Sequence, residues 1–367
     1  MILIVCSSVF QLYVAINIKE TFLKEEIVDL ILTDSTPIFR SLHTNEKLKS
    51  LFHNVRFVPI NENIDKLNRL EKSKYGQMFF EIFPRCYAKK VWETDIRKYK
   101  ECYFSSYTKQ NILLQYAIKR NRKNTKIHMF EDGISAYILK NCQISYTSRH
   151  LRKIFKMFPI EELISNVYVF APELVCLKEY NSVIKLPKPQ EVEGLSDIYN
   201  EVFGEFDYQI KEKFIFFEES FNNDGYVTND SELINMLWEL CDRKDFILKH
   251  HPRNSVDRFK TVLPTIEAPI FWENYLLSHP LDNKVLVTVS SNTVFVPHII
   301  SNVQPTVVML YKIFNGTSPI LGCEYFNTYV AKYLKHYNDY TKTKFYIPET
   351  IEEFKEVIQK IKRENEV

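Results

Sequence analysis

The sequence contains little glycine, with seven residues in a chain of 367, whereas average proteins contain ~7%. None of the seven lies in a GxGxxG or a GxxxxGK[ST] motif. Both motifs need glycine because the backbone must turn tightly and approach a pyrophosphate closely. The sequence therefore excludes a dinucleotide-binding fingerprint and a P-loop nucleotide site.

Paired cysteines, a DxD motif and a strong net charge are also missing. The seven cysteines are scattered, without a CxxC pair or the spacing of zinc ligands, which is typical of reduced thiols in the cytosol. The absence of DxD argues against a metal-dependent nucleotide-sugar enzyme, so we predict no metal. A net charge of +2 predicts no nucleic-acid partner.

The amino-terminal segment is apolar but lacks the pattern of a targeting peptide. It has no basic start, and Ser7, Ser8 and Gln11 interrupt it. We interpret residues 2–6 as a strand that is followed by a Ser-Ser turn and a helix. A later apolar stretch, residues 285–310, contains too many polar residues and prolines to cross a bilayer. We therefore expect a cytoplasmic protein.

Short β-rich runs alternate with helical patterns, which is typical of parallel, doubly wound sheets. The predicted strands are 2–6, 27–33, 56–60, 101–105, 126–130, 214–217, 246–249, 270–272, 285–289, 306–310 and 344–347. The predicted helices include 11–24, 110–121, 231–241 and 351–363. Prolines interrupt the pattern between about residues 148 and 207. The predicted division is an amino-terminal domain (1–150), a linker region (151–207), a carboxyl-terminal domain (208–348) and a closing helix (349–367).

Two adjacent acids follow one predicted strand in "KIHMFEDG". Glu131 and Asp132 are expected at the carboxyl end of that strand, and Gly133 is free to adopt a positive φ. Two neighbouring carboxylates are not both easily ionised in a dry site, so one of them is a candidate general base. The alternative is a solvated turn or a helix N-cap.

Basic residues follow a strand of the second half in "DFILKHHPR". A cluster of donors that includes Lys249 and His251 suits a phosphate, and Pro252 restricts the conformation of His251. An imidazole can donate a hydrogen bond to a leaving phosphate or protonate it. The alternative is an ordinary surface loop.

Two further candidates lie in the second half. Ser290 and Ser291 open a helical segment after a strand, where hydroxyls and backbone N–H groups can face an anion. An ordinary N-cap has the same sequence pattern. Glu273 is expected at the end of strand 270–272, where a carboxylate can accept both hydroxyls of a ribose. The alternative for Glu273 is an acid at a helix start.

The combination of "EDG", "HP", a glutamate and "SS", with the opening "MILIVCSSVFQLYVAI", resembles bacterial sialyltransferases. The similarity covers nearly the whole chain and is to the capsule and lipooligosaccharide enzymes of glycosyltransferase family 52, with polysialyltransferases as relatives. The fold that it implies is GT-B, an α/β architecture in which two Rossmann-like domains face a central cleft. The amino-terminal domain then binds the acceptor and the carboxyl-terminal domain binds the nucleotide.

The resemblance also implies roles for the candidate residues. Asp132 with Glu131 supplies the base, and His251 stabilises or protonates the departing phosphate. The residues assigned to donor binding are Lys249, Pro252, Glu273, Ser290 and Ser291. The family is also suggested to use an acid upstream of His-Pro, for which Asp224 and Asp230 are the alternatives to Asp132.

The implied reaction is inverting, metal-independent transfer of sialic acid from CMP-sialic acid to a hydroxyl of a capsule or lipooligosaccharide glycan, without a cofactor. The basic, amphipathic residues 149–158 suggest peripheral contact with lipids at the inner face of the cytoplasmic membrane. The alternative for this stretch is a solvated linker helix that packs on one half of the chain. The oligomeric state, a homodimer included, stays open. The alternatives are another GT-B nucleotide-sugar transferase, a CDP-polyol transferase, or a non-catalytic subunit that binds glycan or nucleotide.

Overall fold

The chain folds into two compact units, Met1–Val202 and Phe203–Val367. The computed structural model describes residues 1–105, 108–121, 124–138, 164–177, 182–205, 208–222, 225–251, 254, 259, 262–266, 271–316, 318 and 320–364. Each unit contains one sheet in which every strand pairing is parallel. The predicted strand–helix alternation is therefore confirmed.

The first unit is built on a sheet in the order β3-β2-β1-β4-β5-β6-β7. Its strands are β1 (Ile2–Cys6), β2 (Val28–Thr33), β3 (Asn54–Val58), β4 (Glu101–Phe104), β5 (Lys126–Phe130), β6 (Ile164–Val169) and β7 (Val183–Lys185). No residue of β1 is more than 1% exposed. A continuous apolar run of this kind suits a parallel sheet that has helices on both faces. The order of the strands reverses between β1 and β4, and ligands of open α/β sheets bind beside such a switch point.

Helices connect the strands of the first unit. They are α1 (Val9–Thr21), α2 (Phe39–Leu42), α3 (Glu46–Leu51), α4 (Ile60–Asp65), α5 (Arg69–Lys72), α6 (Lys74–Ile82), α7 (Pro84–Val91), α8 (Lys109–Asn121), α9 (Ser135–Ile138) and α10 (Leu195–Phe203). The Ser-Ser turn predicted after β1 is confirmed, since the Ser8 hydroxyl accepts the Gln11 N–H at 3.2 Å and caps α1. The turn thereby places the start of α1 at the carboxyl edge of the sheet.

The second unit has a sheet in the order β12-β11-β10-β8-β9. Its strands are β8 (Phe214–Phe217), β9 (Phe246–Lys249), β10 (Val285–Thr288), β11 (Thr306–Met309) and β12 (Phe345–Tyr346). Its helices are α11 (Asp230–Leu240), α12 (Trp272–Ser278), α13 (Val296–Ser301), α14 (Phe326–His336), α15 (Asn338–Lys344) and α16 (Ile351–Arg363). The predicted closing helix is α16, which buries Phe354, Ile358 and Ile361, spaced i, i+4 and i+7, in the core of this unit.

The region predicted as a linker contributes instead to the first unit. Within residues 151–207, β6 and β7 extend the first sheet, and α10 packs against α1. The Tyr199 ring stacks on the Tyr13 ring with centroids 3.9 Å apart, and its hydroxyl donates to the Tyr13 carbonyl at 3.0 Å. Of the prolines in this region, Pro172 lies between β6 and β7, and Pro187 and Pro189 lie between β7 and α10, so they interrupt neither strand. Pro159 lies outside the described residues.

One predicted strand is wrong. Of the residues predicted as a strand at 270–272, Phe271 is the N-cap of α12 and Trp272 is its first residue, while residue 270 lies outside the described residues. Trp272, Tyr275 and Leu276 are buried together, and their i, i+3, i+4 spacing is that of one helix face. Three apolar residues are too few to distinguish a strand from a helix start by their pattern. None of the described helices is long and apolar enough to cross a membrane.

Candidate active site

Asp132 lies at the carboxyl edge of the first sheet and is partly exposed. Gln11, in the first turn of α1, donates its side-chain amide to Asp132 Oδ2 at 2.8 Å, and Ser8 Oγ donates to Oδ1 at 3.4 Å. Gln11 is itself fixed, because the Ser7 N–H donates to its side-chain oxygen. The β1–α1 turn therefore orients the Asp132 carboxylate from across the end of β4.

Glu131, the neighbour of Asp132, is 1% exposed. It accepts hydrogen bonds from the Tyr137 hydroxyl at 2.6 Å and from the Phe170 N–H at 2.8 Å. Burial raises the pKa of Glu131 to about 7, although both hydrogen bonds act in the opposite direction. The two predicted acids thus lie in different surroundings, with Asp132 open to solvent and Glu131 inside the unit.

Gly133 has the positive φ that its position after the two acids predicts, at 62°. This left-handed conformation is easily adopted only by a residue without Cβ. It turns the chain directly into α9, where the Ser135 hydroxyl donates to the Asp132 carbonyl at 2.6 Å. The turn therefore fixes the backbone of Asp132 as well as its side chain.

The polar candidate residues of the second unit lie at or just after the carboxyl ends of three adjacent strands. The order β10-β8-β9 places Ser290–Ser291, Glu218–Glu219 and Lys249–His251 in that sequence along one edge. Neighbouring strands are about 4.8 Å apart, so the ends of β9 and β10 lie about 10 Å from each other. The predicted phosphate-binding residues are therefore brought to one edge of the sheet, with an acid pair of β8 between them.

Glu219 was missed by the motif analysis. Its Oε2 accepts the Ser290 hydroxyl at 2.8 Å, and its Oε1 accepts the Ser290 N–H and the Thr288 hydroxyl, the latter at 3.1 Å. Burial raises the pKa of Glu219 to about 7, while the hydrogen bonds from Ser290 and Thr288 oppose this shift. A signal was present, because "FIFFEES" is a buried strand followed by two acids, as is "HMFEDG".

Glu218, the other acid of this pair, is 3% exposed. It contacts the end of β9, whereas Glu219 contacts the residues after β10. His250 Nδ1 lies 2.9 Å from Glu218 Oε2. His251 is partly exposed at the same strand end, and its carbonyl accepts the Asn254 N–H at 3.0 Å. The His250 side chain therefore contacts a buried acid of the neighbouring strand.

Ser291 begins the short 3-10 helix Asn292–Val294. The Thr293 hydroxyl lies 3.0 Å from Ser291 Oγ, and the Ser291 N–H donates to the Thr288 hydroxyl at 3.3 Å. Trp272 donates its indole N–H to the Thr293 carbonyl at 3.1 Å, which ties the turn to α12. The turn is a rigid element in which Ser291 is partly exposed and Ser290 is buried.

Glu273 lies in the first turn of α12 and not at a strand end, which corrects the predicted position. An acid is favoured there by the helix dipole. Burial raises its pKa to about 7, while the positive charge of Lys249 acts in the opposite direction. Burial lowers the pKa of Lys249, and Glu273 opposes that shift. Glu273 and Lys249 therefore interact electrostatically, and both belong to the same side of the second unit.

Of the two alternative bases, Asp230 lies within the described residues and Asp224 does not. Asp230 is the first residue of α11, 4% exposed, and accepts the Thr228 hydroxyl at 2.8 Å. Its charge contributes to the raised pKa of Glu219, so it lies near the Ser290 end of the edge. Asp224 and Pro252 lie outside the described residues, as does the basic stretch 149–158. Among the described side chains, no three His, Cys, Asp or Glu residues are grouped as a metal site requires.

A search of solved structures finds the same architecture. The alpha/beta-galactoside alpha-2,3-sialyltransferase from the luminous marine bacterium Photobacterium phosphoreum matches with a TM-score of 0.51 and 10% identity, over 94% of this chain and 97% of that chain. CalG4, the calicheamicin glycosyltransferase, matches more weakly, with a TM-score of 0.45 and 8% identity over 99% and 93% of the two chains. No curated protein sequence matches the chain.

The fold is of the GT-B class, with two parallel-sheet α/β domains, as predicted. A glycosyltransferase fold here implies a nucleotide-sugar donor and a glycan acceptor. Residues 2–311 match the family model described as alpha-2,8-polysialyltransferase (POLYST), and the chain belongs to this family. It is a glycosyltransferase of the sialyltransferase type. The predicted relationship to bacterial sialyltransferases is therefore confirmed.

Proposed function

We propose that the chain is an inverting, metal-independent sialyltransferase that uses CMP-sialic acid and extends a sialic acid chain of capsule or lipooligosaccharide type. The observation that carries the proposal is the edge of the second sheet, where the cationic groups at the end of β9 and the hydroxyl groups after β10 lie on either side of the acid pair that follows β8. Such groups can balance the negative charge of a departing phosphate without a metal. The name of the family suggests the 8-hydroxyl of an acceptor sialic acid.

Asp132 is the base in this proposal. Its carboxylate accepts the proton of the acceptor hydroxyl while the oxygen of that hydroxyl forms a bond to the anomeric carbon of the donor. The bond between this carbon and the phosphate oxygen breaks at the same time, and CMP leaves with the bonding electrons. Support comes from the contrast between the two acids. Asp132 is partly exposed and oriented by Gln11, whereas Glu131 is occupied by Tyr137 and Phe170 inside the unit.

His251 and the Ser290–Ser291 turn act on the phosphate. His251 donates a hydrogen bond or a proton to the phosphate as the transition state acquires the character of an oxocarbenium ion. Lys249 adds positive charge at the same strand end, and Glu273 binds the ribose. The nucleotide therefore belongs to the second unit and the acceptor to the first.

The Glu219 carboxylate assigns the two serines different roles. When Glu219 is ionised, it accepts hydrogen bonds from both the Ser290 hydroxyl and the Ser290 N–H. Ser290 then cannot donate to a phosphate, so Ser291 is the serine that binds it. Glu219 is a positioning residue that holds the turn through Ser290.

An assay of CMP release tests the proposal. Purified enzyme is given CMP-sialic acid with oligosialic acid or a lactose-type acceptor, with and without EDTA, and the anomeric configuration of the product is read by NMR. We expect release that depends on an acceptor and survives EDTA, and a product of inverted configuration. Release of CMP from CDP-glycerol, or of UDP from a UDP-sugar, without release from CMP-sialic acid would show that the proposed donor is wrong. Loss of activity in EDTA would contradict the metal-free mechanism, and no transfer to any acceptor would favour a binding subunit.

A further inference from the structure

Helix α6 carries hydrophobic side chains on the side that faces solvent, where an ordinary surface helix carries polar ones. Within residues 70–83 lie five of the eleven exposed large hydrophobic residues of the described chain. Their exposed fractions are Leu70 71%, Tyr75 77%, Met78 38%, Phe79 47% and Phe83 50%. Isolated exposed hydrophobic residues are common on soluble proteins, but a contiguous group marks an interaction surface.

The exposed residues of α6 form one continuous face. At 100° per residue, Tyr75, Met78 and Phe79 fall within about a third of the helix circumference. Phe80, on another side of the helix, is 3% exposed and packs against Tyr87 of α7, with ring centroids 5.3 Å apart. The helix is therefore anchored through Phe80 and presents a second apolar face outward. Phe83 extends that face, since its ring centroid is 4.9 Å from that of Phe79.

The neighbouring helices are held close to this face. A side chain at position 76 would collide with the backbone of Leu70 and Glu71, so Gly76 allows α5 to pack tightly on α6. Lys90 of α7 forms an ion pair with Glu71 of α5. The three helices thus form one layer, which fixes the apolar face in position.

The surroundings of this face are basic. Residues 69–90 contain six basic residues and two acidic ones, and one of the acids, Glu71, is paired with Lys90. The basic residues are Arg69, Lys72, Lys74, Arg85, Lys89 and Lys90. In α7, Pro84, Tyr87, Ala88 and Val91 are buried while Arg85, Lys89 and Lys90 are exposed, so the outward side of this helix is cationic.

We propose that α5, α6 and α7 form a docking surface for an anionic lipid bilayer. The apolar side chains of α6 enter the headgroup region, and the basic residues around them contact lipid phosphates. Aromatic and aliphatic side chains flanked by Lys and Arg are what a helix lying in the plane of a membrane requires. Four of the six basic residues are lysines, and lysine is depleted in protein–protein interfaces, which favours lipid over a protein partner. The proposal does not depend on the donor or acceptor of the enzyme.

Vesicle flotation with the full chain tests the surface. We expect binding to vesicles of phosphatidylcholine with phosphatidylglycerol, weak binding to phosphatidylcholine alone, and release by salt because exposed charges are screened. Tyr75→Gln with Phe79→Gln should lower the partition coefficient about tenfold, since apolar insertion is lost. Lys74→Glu with Lys89→Glu should lower it about twentyfold or more, because each basic residue near an anionic surface contributes about fivefold.

Matched controls lie elsewhere on the surface. Ile27→Gln changes a hydrophobic residue that is 54% exposed, and Lys355→Glu reverses an exposed charge on α16. Both should bind vesicles within twofold of wild type. A readout without any surface substitution is available because Cys86, on the outward side of α7, is exposed. An environment-sensitive dye on Cys86 should shift to the blue on anionic vesicles, and the Cys86→Ser variant should lose that signal.

Two results would overturn the proposal. One is binding that the α6 and α7 variants leave unchanged, or a Cys86 dye that does not respond to anionic vesicles. The other is a wild-type dimer, seen by light scattering, that the Tyr75→Gln and Phe79→Gln changes convert to a monomer without any effect on vesicle binding. The surface would then be covered by a second copy of the chain.

Discussion

The Glu219 carboxylate binds both hydrogen-bond donors of Ser290, the backbone N–H and the hydroxyl, the latter at 2.8 Å. The Glu219 carboxylate therefore already binds the two Ser290 groups that the sequence suggests for the phosphate of the nucleotide sugar. Glu219 is ionised above about pH 7 and protonated below it, because burial raises its pKa to about 7. When it is protonated, it can donate to Ser290 Oγ, and the serine proton is then available to another acceptor.

The two serines should consequently respond differently to substitution. Ser291→Ala should raise KM for CMP-sialic acid about tenfold or more at every pH, since a hydrogen bond to a charged group contributes roughly 1.5–3 kcal/mol. Ser290→Ala should change KM less than threefold at pH 8 and more at pH 6, where Glu219 releases the hydroxyl. Steady-state kinetics of both variants at the two pH values provide the test. Equal effects of the two substitutions at pH 8 would contradict the different roles.

Substitution of His251 should lower activity, whereas substitution of the adjacent His250 should lower stability. His251→Ala should lower kcat by ~10²–10⁴-fold, the usual contribution of an acid–base group, with little change in the melting temperature. His250→Ala removes a hydrogen-bond partner of the buried Glu218 carboxylate, so it should lower the free energy of unfolding by about 1–3 kcal/mol. Thermal melts and CMP release, measured on both variants, compare the two effects. A His251 variant that is as active as wild type would remove the proposed phosphate role.

Much of the edge of each sheet could be predicted, because polar residues directly after a buried strand must lie at its carboxyl end. Which of two adjacent acids is buried could not. Successive residues of an extended chain point in opposite directions, so one of Glu131 and Asp132 had to turn inward. The choice depends on Tyr137 and Phe170, whose positions arise from tertiary packing.

The helix start at Glu273 and the strands β6 and β7 also could not be predicted from the sequence pattern. Glu273 follows only three apolar residues, too few to show whether the segment is a strand or a helix start. The strands β6 and β7 lie in the stretch that prolines interrupt and were included in the predicted linker. The pairing of β6 with β5 and of β7 with β6 is a long-range contact that local composition does not reveal.

The general base can be assigned by comparing Asp132 with Asp230. Asp132→Asn keeps the shape and the contact with Gln11 but cannot accept a proton, so CMP release should fall ~10²–10⁴-fold while the melting temperature is unchanged. Asp230→Asn should retain more than a tenth of the activity. Circular dichroism of both variants controls for folding. The opposite pattern, an active Asp132 variant and an inactive Asp230 variant, would move the base to the second unit.

The three buried glutamates at these edges should make the fold less stable as the pH rises. Burial raises the pKa of Glu131, Glu219 and Glu273 to about 7, whereas an unfolded glutamate titrates near ~4.3. Between these values the folded chain binds more protons than the unfolded chain, so the free energy of unfolding falls as the pH increases. Glu131→Gln should remove part of this decrease, because glutamine resembles the protonated acid and its oxygen can still accept from Tyr137 and Phe170. Urea unfolding of wild type and variant at pH 5.5 and 8 measures the difference. The gain in stability of the variant over wild type should be larger at pH 8 than at pH 5.5, because the decrease in the wild type continues up to about pH 7. Equal slopes in both proteins would show that Glu131 is ionised throughout this range.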